Sequence, residues 1–147
     1  MSQTTAPPVP LETAVTDLLR ATGLLLRRLR AESNPSELTW SESVILARLD
    51  EAGWTTTADL ARAESVKPQS IGAALAALEQ EGLVQRRPHP TDGRQVLFAL
   101  TDKGVATRRR NTILKRQWIS AAMAELDPAE QQTIIAAAAL FRRLADS

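Results

Sequence analysis

The side chains best suited to binding chemistry lie between Val84 and Leu100, in the stretch VQRRPHPTDGRQVLFAL. It contains three arginines, the only histidine of the chain, two prolines and an Asp-Gly pair. Arginine binds phosphate and is attracted to the negative potential of a narrow DNA groove. Because Asp-Gly and proline are typical of turns, this stretch predicts a stiff, charged tip between two short strands.

Basic residues are concentrated in and after this stretch. From Leu83 to Arg116, nine Lys or Arg stand against two acids, which gives +7. The rest of the chain carries −6, since the whole chain has a net charge of +1. This asymmetry indicates a polyanionic partner for one face. A solvated helix face is the alternative explanation of the same charges.

The composition excludes several classes of protein. A chain of 147 residues with 44% hydrophobic and 24% charged residues suits one folded domain. Aromatic residues make up only 3%, so a core of Leu, Ile, Val and Ala is expected, which favours helices. With no cysteine and one histidine, disulfides, thiol sensing and a multi-histidine metal site within one chain are excluded. No glycine-rich phosphate loop or carboxylate pair indicates an enzyme, and neither metal nor cofactor is expected.

Nothing in the sequence predicts a membrane segment. No apolar run approaches the roughly 20 residues that a transmembrane helix needs. The N-terminal MSQTTAPPVP lacks the basic start and apolar core of a signal peptide. A cytoplasmic protein with a disordered lead over residues 1–9 is therefore expected.

Capping residues predict the helices before the charged stretch. A first helix should run from Pro10 to about Glu32 and end before Asn34-Pro35. Three short helices should follow, WSESVILARLDEA, TADLARAE and PQSIGAALAALEQE. The first two have capping boxes, Thr39 with Glu42 and Thr56 with Asp59, and the third begins with Pro68. Gly53 and Gly82 are placed to end the first and third of these helices.

The charged stretch should form a two-stranded hairpin, because Val84–Arg86 and Val96–Phe98 alternate weakly around PTDG. Thr101 can cap a long helix to about Glu125. A final helix should follow Asp127-Pro128-x-Glu130, which has Asp at the N-cap, Pro at N1 and Glu at N3.

The predicted fold class is mainly α with a small β-hairpin wing. Two short helices joined by a tight turn and followed by a basic hairpin form a winged helix-turn-helix, expected over residues 38–101. A helix fits the major groove of B-DNA, and the hairpin can lie along the adjacent minor groove. Residues 10–33 and 104–147 are expected to be dimerisation helices with apolar stripes. The alternative is that these helices pack on the central module.

The segment LTWSESVILARLDEAG…TTADLARAESVKPQSIGAALAALEQEGLVQRRPHPTDGRQVLFALTDKG resembles the MarR family of bacterial transcriptional regulators. The most specific element is the wing phrase DGR…LT, preceded by LEQEGLV. The resemblance covers nearly the whole chain, so residues 10–147 are expected to be one MarR-like domain. It implies a homodimer that binds a pseudo-palindromic operator in double-stranded DNA and responds to a small apolar or aromatic ligand.

Individual residues take their expected roles from this resemblance. Arg94 is at the wing-tip arginine position and should enter the minor groove. Asp92 should orient Arg94 by a charge-assisted bond, with a plain Asp-Gly turn as the alternative. Gln69 and Ser70 should contact bases or phosphate, and Lys67 should meet phosphate.

The recognition helix departs from many relatives. Gly72 and Ala73 stand where Thr and Arg are often found, so Ala73 is a DNA-facing position without a long side chain. Fewer direct contacts to bases are therefore expected, and the wing and the shape of the DNA should contribute more to recognition. Glycine within a helix costs about 1 kcal/mol against alanine, which suggests a close backbone approach, to DNA or to another helix.

Other basic residues keep more than one interpretation. Of Arg86 and Arg87, one should contact phosphate while the other is solvated. His89 is either a pH-sensitive phosphate contact, a residue beside a ligand cavity or an exposed loop residue. The run Arg108–Arg110 should either contact the DNA backbone or form interhelical ion pairs.

The sequence indicates the residues of a ligand pocket less clearly than those of the DNA-binding site. In the family it lies between the dimer helices and the DNA-binding lobe, and Leu25, Leu29, Trp40 and Trp118 are candidates to line it. The favoured alternative for each is that it belongs to the ordinary core.

The leading hypothesis is a ligand-responsive repressor. A constitutive DNA-binding or nucleoid-associated protein without effector control would share every DNA-contacting residue. A winged helix used only for protein contacts is disfavoured, because its tip would not need arginine.

Overall fold

Six helices and three short strands form in the computed structural model, which describes residues 8–147. In chain order they are α1 (Leu11–Ser33), α2 (Trp40–Ala52), β1 (Thr55–Thr56), α3 (Thr57–Glu64), α4 (Pro68–Gln80), β2 (Val84–Pro88), β3 (Val96–Leu100), α5 (Asp102–Ala124) and α6 (Pro128–Ala145). The predicted helices and the hairpin are confirmed. The lead expected over residues 1–9 lies outside the described residues except for Pro8 and Val9, which are exposed.

Most helix ends follow the predicted capping. Thr39 Oγ1 accepts from Glu42 N at 3.1 Å, and Glu42 Oε1 accepts from Thr39 N at 3.1 Å. Asp127 and Glu130 form the same reciprocal pair at 2.8 and 3.0 Å. These bonds satisfy amide groups that have no partner inside their helices.

The second capping box is only half formed, which corrects the prediction. Thr56 Oγ1 accepts from Asp59 N at 3.1 Å. The Asp59 carboxylate instead pairs with Arg62, one turn further along α3. Arg62 is within reach of Asp59 on the helix surface. Because the Asp59 carboxylate pairs with Arg62, it does not accept from the N-cap amide of Thr56.

The sheet has three strands, whereas the sequence predicted two. Its order is β1-β3-β2, and β1 pairs antiparallel with β3 through Thr55↔Phe98 and Thr56↔Leu97. A two-residue strand has no alternation to detect, so only its distant partner reveals it. The added strand ties the hairpin to the residue that caps α3.

The chain divides into two compact units, one of residues 33–117 and one of residues up to 32 together with 118–147. The 33–117 unit, here called the lobe, contains a continuous apolar core from α2, α3, α4 and the sheet, built on Leu38, Ile45, Leu46, Leu49, Leu60, Ala61, Ile71, Leu75, Leu78, Leu83, Val84 and Phe98. This core fixes α4 and the hairpin on one scaffold.

The other unit is built differently. Neither its described residues 8–32 nor 118–147 include a buried side chain. Most large apolar residues of α1 and α6 are exposed: Leu11, Val15, Leu18, Leu19, Leu24, Leu25, Leu26, Ile134, Ile135, Leu140, Phe141 and Leu144. Across the described chain, no helix is long and apolar enough to cross a membrane.

Candidate nucleic-acid interface

A tight turn joins α3 to α4. Ser65 at the end of α3 adopts a left-handed backbone with φ 53°, and Val66 N donates to Ala61 O at 3.1 Å. Pro68 then occupies the first turn of α4, where its missing N–H costs nothing. The pair forms the helix-turn-helix expected from the sequence.

The predicted DNA-contacting residues of α4 and its N-cap are on its outer side. Ile71, Leu75 and Leu78 are buried in the core, which turns the opposite side of the helix outward. The exposed residues there are Lys67, Gln69, Ser70 and Ala73. The structure therefore brings all four predicted positions onto one accessible face.

Gly72 lies half-buried beside this face. A methyl group added at Gly72 would meet no atom of its surroundings within 4 Å. The described residues therefore give no packing reason for a glycine at this position. The approach of DNA to this backbone stays a prediction.

The wing is the hairpin of β2 and β3. Its register runs from Val84↔Leu100 to Pro88↔Val96. At the tip, His89 N donates to Gln95 O at 3.1 Å and Gln95 N donates to Asp92 O at 3.0 Å. Residues 89–95 therefore form a closed, hydrogen-bonded turn.

Asp92 organises the backbone of this turn, whereas a bond to the Arg94 guanidinium was expected. Its Oδ1 accepts from Arg94 N at 3.0 Å, and its Oδ2 accepts from Gln95 Nε2 at 3.3 Å. An aspartate at a turn reaches the amide two residues on more readily than a long side chain. Asp92 thus places Arg94 through the main chain.

Arg94 itself is exposed at the tip. Within residues 8–147 its guanidinium forms no ion pair and no hydrogen bond. Its charge is available for an anionic partner.

His89 lies at the base of the same tip and is half-buried. Its Nδ1 is 3.2 Å from Thr91 N and 3.1 Å from Asp92 N, and both amides donate to it. The Thr91 hydroxyl is 3.3 Å from the same nitrogen. The histidine is thus part of the turn.

Arg86 is held by the recognition helix. Its Nε and a terminal nitrogen donate to the two carboxylate oxygens of Glu79 at 2.6 and 2.7 Å, and its guanidinium lies 5.3 Å from the centre of the Phe98 ring. The hydrogen bond to Arg86 lowers the pKa of Glu79, and the same bond raises the pKa of Arg86. Arg86 therefore links the wing to α4 and is the less available of the two neighbouring arginines.

Arg87 is in contact with an aromatic ring. Its guanidinium is stacked 4.2 Å from the centre of the Trp54 ring, a distance suited to a cation–π interaction. Because Trp54 offers no counter-charge, Arg87 is the better candidate for a phosphate contact. Sequence reasoning missed Trp54 and Glu79, since only the folded sheet brings them to the wing.

Two of the three arginines in the run Arg108–Arg110 contact other residues of the lobe. Arg108 Nε lies 3.9 Å from an Asp50 carboxylate oxygen on α2, and Arg110 donates to Ser36 Oγ at 2.7 Å. Arg109 is exposed. The ion pair from Arg108 favours the interhelical interpretation for that residue.

The four predicted ligand-pocket residues fall in separate units. Trp40, in the lobe, is 56% exposed and Leu25 is 45% exposed. Leu29 and Trp118 are half-buried, and Arg28 lies 5.8 Å from the centre of the Trp118 ring. None of the four lines the cavity of about 560 Å³ in the lobe, whose walls include Glu42, Glu81, Lys103 and Arg110.

A helix-turn-helix with a basic hairpin on one core defines a winged-helix DNA-binding protein. The model of the MarR family matches residues 38–96. The transcriptional repressor Rv2887 of Mycobacterium tuberculosis, an HTH-type protein, is 33% identical over 116 residues, which are 78% of this chain and 84% of that relative. The chain belongs to the MarR family of transcriptional regulators, which confirms the resemblance seen in its sequence.

Solved structures share the whole fold. RV1404 of M. tuberculosis is 26% identical with a TM-score of 0.81, over 95% of this chain and 97% of that one. BpsR of Bordetella bronchiseptica, a protein whose DNA binding is regulated by 6-hydroxynicotinic acid, is 24% identical with a TM-score of 0.70, over 97% of this chain and 99% of that one. The winged-helix fold expected from the sequence is thereby confirmed.

Proposed function

We propose that this protein is a homodimeric repressor that binds a pseudo-palindromic operator and is released by a small apolar or aromatic ligand. Its α4 helix would enter the major groove while the wing lies along the adjacent minor groove. The observation that carries the proposal is the exposed, unpaired Arg94 at the tip of a wing whose base is clamped to α4 by Glu79 and Arg86.

The outer face of α4 supports the major-groove contact. Gln69 can bond adenine with both its donor and its acceptor, and Ser70 can bond a base or a phosphate. Lys67 at the N-cap makes no side-chain capping bond, so the first turn of α4 is open to a phosphate. With only alanine at position 73, the wing should supply an unusually large share of the affinity.

The exposed apolar residues of α1 and α6 support a dimer. Burying apolar surface stabilises by roughly 25 cal/mol per Å², and α6 has no buried residue in the single chain. A second copy would cover such stripes symmetrically. A dimer would also bring two α4 helices to successive major grooves, about 34 Å apart.

A ligand would act by favouring a dimer geometry in which the two α4 helices no longer match that spacing. Within the lobe, the exposed Trp40 offers aromatic surface for such a molecule. BpsR, which has the same fold, supports regulation of this kind by a small aromatic acid.

Selection of bound duplexes from a random pool tests the proposal. We expect an inverted repeat with half-sites about one helical turn apart. Titration of aromatic acids into the selected complex should then identify a compound that lowers DNA affinity. Equal binding to unrelated duplexes would contradict the repressor and favour a constitutive DNA-binding protein.

A further inference from the structure

Hydrogen-bond donors converge on one ring nitrogen of His89. The backbone amides of Thr91 and Asp92 both donate to Nδ1, at 3.2 and 3.1 Å. The Thr91 hydroxyl lies 3.3 Å from the same atom. The imidazole thus takes the place of a backbone acceptor inside the turn.

This geometry determines the form of the ring. A nitrogen that accepts hydrogen bonds carries no proton, so the neutral ring must hold its proton on Nε2. The imidazolium has a proton on both nitrogens and accepts nothing. Protonation would therefore remove both amide bonds and bring a third N–H against the same two donors.

Asp92 connects His89 to the DNA-binding arginine. Its amide donates to His89 Nδ1 at 3.1 Å, and its carboxylate accepts from Arg94 N at 3.0 Å. The three residues form a chain of contacts from the base of the tip to its end. Loss of the first contact removes one of the hydrogen bonds that hold Asp92, the residue that places Arg94.

We infer that neutral His89 caps the wing tip and positions Arg94, and that its protonation loosens the tip and weakens DNA binding in acid. The effect on DNA rests on the proposed function, whereas the cap itself does not. His89 is a positioning residue in this account.

Arg87, Asp92 and Arg94 are charged residues of the hairpin on either side of His89. Arg87 is stacked on Trp54, the Asp92 carboxylate is bonded to Arg94 N and Gln95 Nε2, and Arg94 is exposed. His89 is the only histidine of the chain, so a single substitution removes its only imidazole.

A direct phosphate contact by His89 makes the opposite prediction. An imidazolium beside a phosphate would be favoured by its charge, so acid would strengthen binding. The sign of the pH effect separates the cap from the contact.

DNA binding of His89→Ala and His89→Asn tests the inference. The side-chain oxygen of asparagine can accept from amides two or three residues on, as in an Asx turn, without titrating.

We expect parent affinity to fall about tenfold from pH 8 to 5.5, the effect of roughly one lost hydrogen bond. His89→Ala should be about tenfold weaker at pH 8, and His89→Asn should bind like the parent at pH 8 and remain unchanged in acid. Parent-like binding by His89→Ala, or tighter parent binding in acid, would overturn the inference.

Nitrogen NMR of the free, full-length protein tests the cap without DNA. At pH 8 the single imidazole should show a protonated Nε2 and an unprotonated Nδ1, and acidification should shift the Thr91 and Asp92 amides. A proton on Nδ1 at pH 8 would overturn the cap. If no operator is found but NMR shows the proton on Nε2, the proposed function is wrong, whereas the inference that His89 caps the turn is supported.

Discussion

At the scale of single residues, the wing tip is arranged through the main chain. Asp92 bonds the Arg94 amide at 3.0 Å and leaves the guanidinium free. An arginine held by its backbone keeps its full hydrogen-bonding capacity for a ligand. This arrangement suits a residue whose partner is DNA.

Two helical glycines provide a matched pair at this scale. A methyl group at Gly72 meets nothing within 4 Å, whereas one at Gly104 would lie 2.0 Å from Leu83 O. Gly72→Ala should therefore stabilise the fold by about 1 kcal/mol. Gly104→Ala should destabilise it by about 1 to 3 kcal/mol, because backbone blocks the methyl group. Denaturant unfolding measures both changes.

The same Gly72→Ala variant reports on DNA. If the DNA backbone lies against Gly72, the added methyl group should weaken operator binding while the fold gains stability. Opposite signs of the two effects would identify an approach to DNA. A stabilised variant with unchanged affinity would remove Gly72 from the interface.

At the scale of elements, α4 and the wing are connected by one ion pair. Arg86 on β2 bonds both carboxylate oxygens of Glu79 near the end of α4 and lies over Phe98 on β3. The pair holds together the two elements that we propose to contact DNA. Because Arg86 is bonded to Glu79, it is less available for a phosphate contact than the other arginines of the wing.

Glu79→Gln should lower the melting temperature by about 1 to 3 °C at neutral pH, the range of a partly exposed pair. Folding lowers the pKa of Glu79, so its contribution is complete above the ordinary glutamate pKa. That contribution is lost as the pH falls through the lower folded value. The difference from the parent should therefore shrink below about pH 4.

Glu81→Gln is the control, because it removes the same charge two residues away, where no ion pair forms among the described side chains. Equal melting temperatures for the two variants would argue against the link between α4 and the wing.

Elements with local signals were predictable. The ends of α2 and α6 follow capping boxes only four residues long, and the turn at the wing follows Asp-Gly. The strand β1 was missed, because two threonines carry no period and gain their structure from β3. The partners of Arg86 and Arg87 were also hidden, since Glu79 and Trp54 meet them only after the sheet forms. The outward face of α4 was predictable from the apolar spacing of Ile71, Leu75 and Leu78.

At the scale of the whole molecule, the two units differ in how they bury apolar surface. The lobe has a core of its own, whereas α1 and α6 present apolar side chains outward. Contiguous exposed apolar surface on a soluble protein commonly marks an interface. The proposed second copy would cover these helices, whereas the lobe has its core within one chain.

Light scattering at micromolar concentration should give about twice the chain mass of 16.0 kDa. Phe141→Glu places a charge on a half-exposed apolar residue of α6 and should shift the mass toward one chain. Arg143→Glu changes an exposed residue of the same helix and should leave the dimer intact. A parent protein that scatters as a single chain would contradict the dimer.

The central claim is that the wing arginine binds DNA, and the operator affinity of Arg94→Ala tests it most directly. We expect at least a tenfold loss, since each 1.4 kcal/mol is a factor of ten, with an unchanged melting temperature. Arg143→Ala removes the same charge from an exposed site on α6 and should change affinity less than about threefold. Arg94→Ala binding as tightly as the parent would contradict the account.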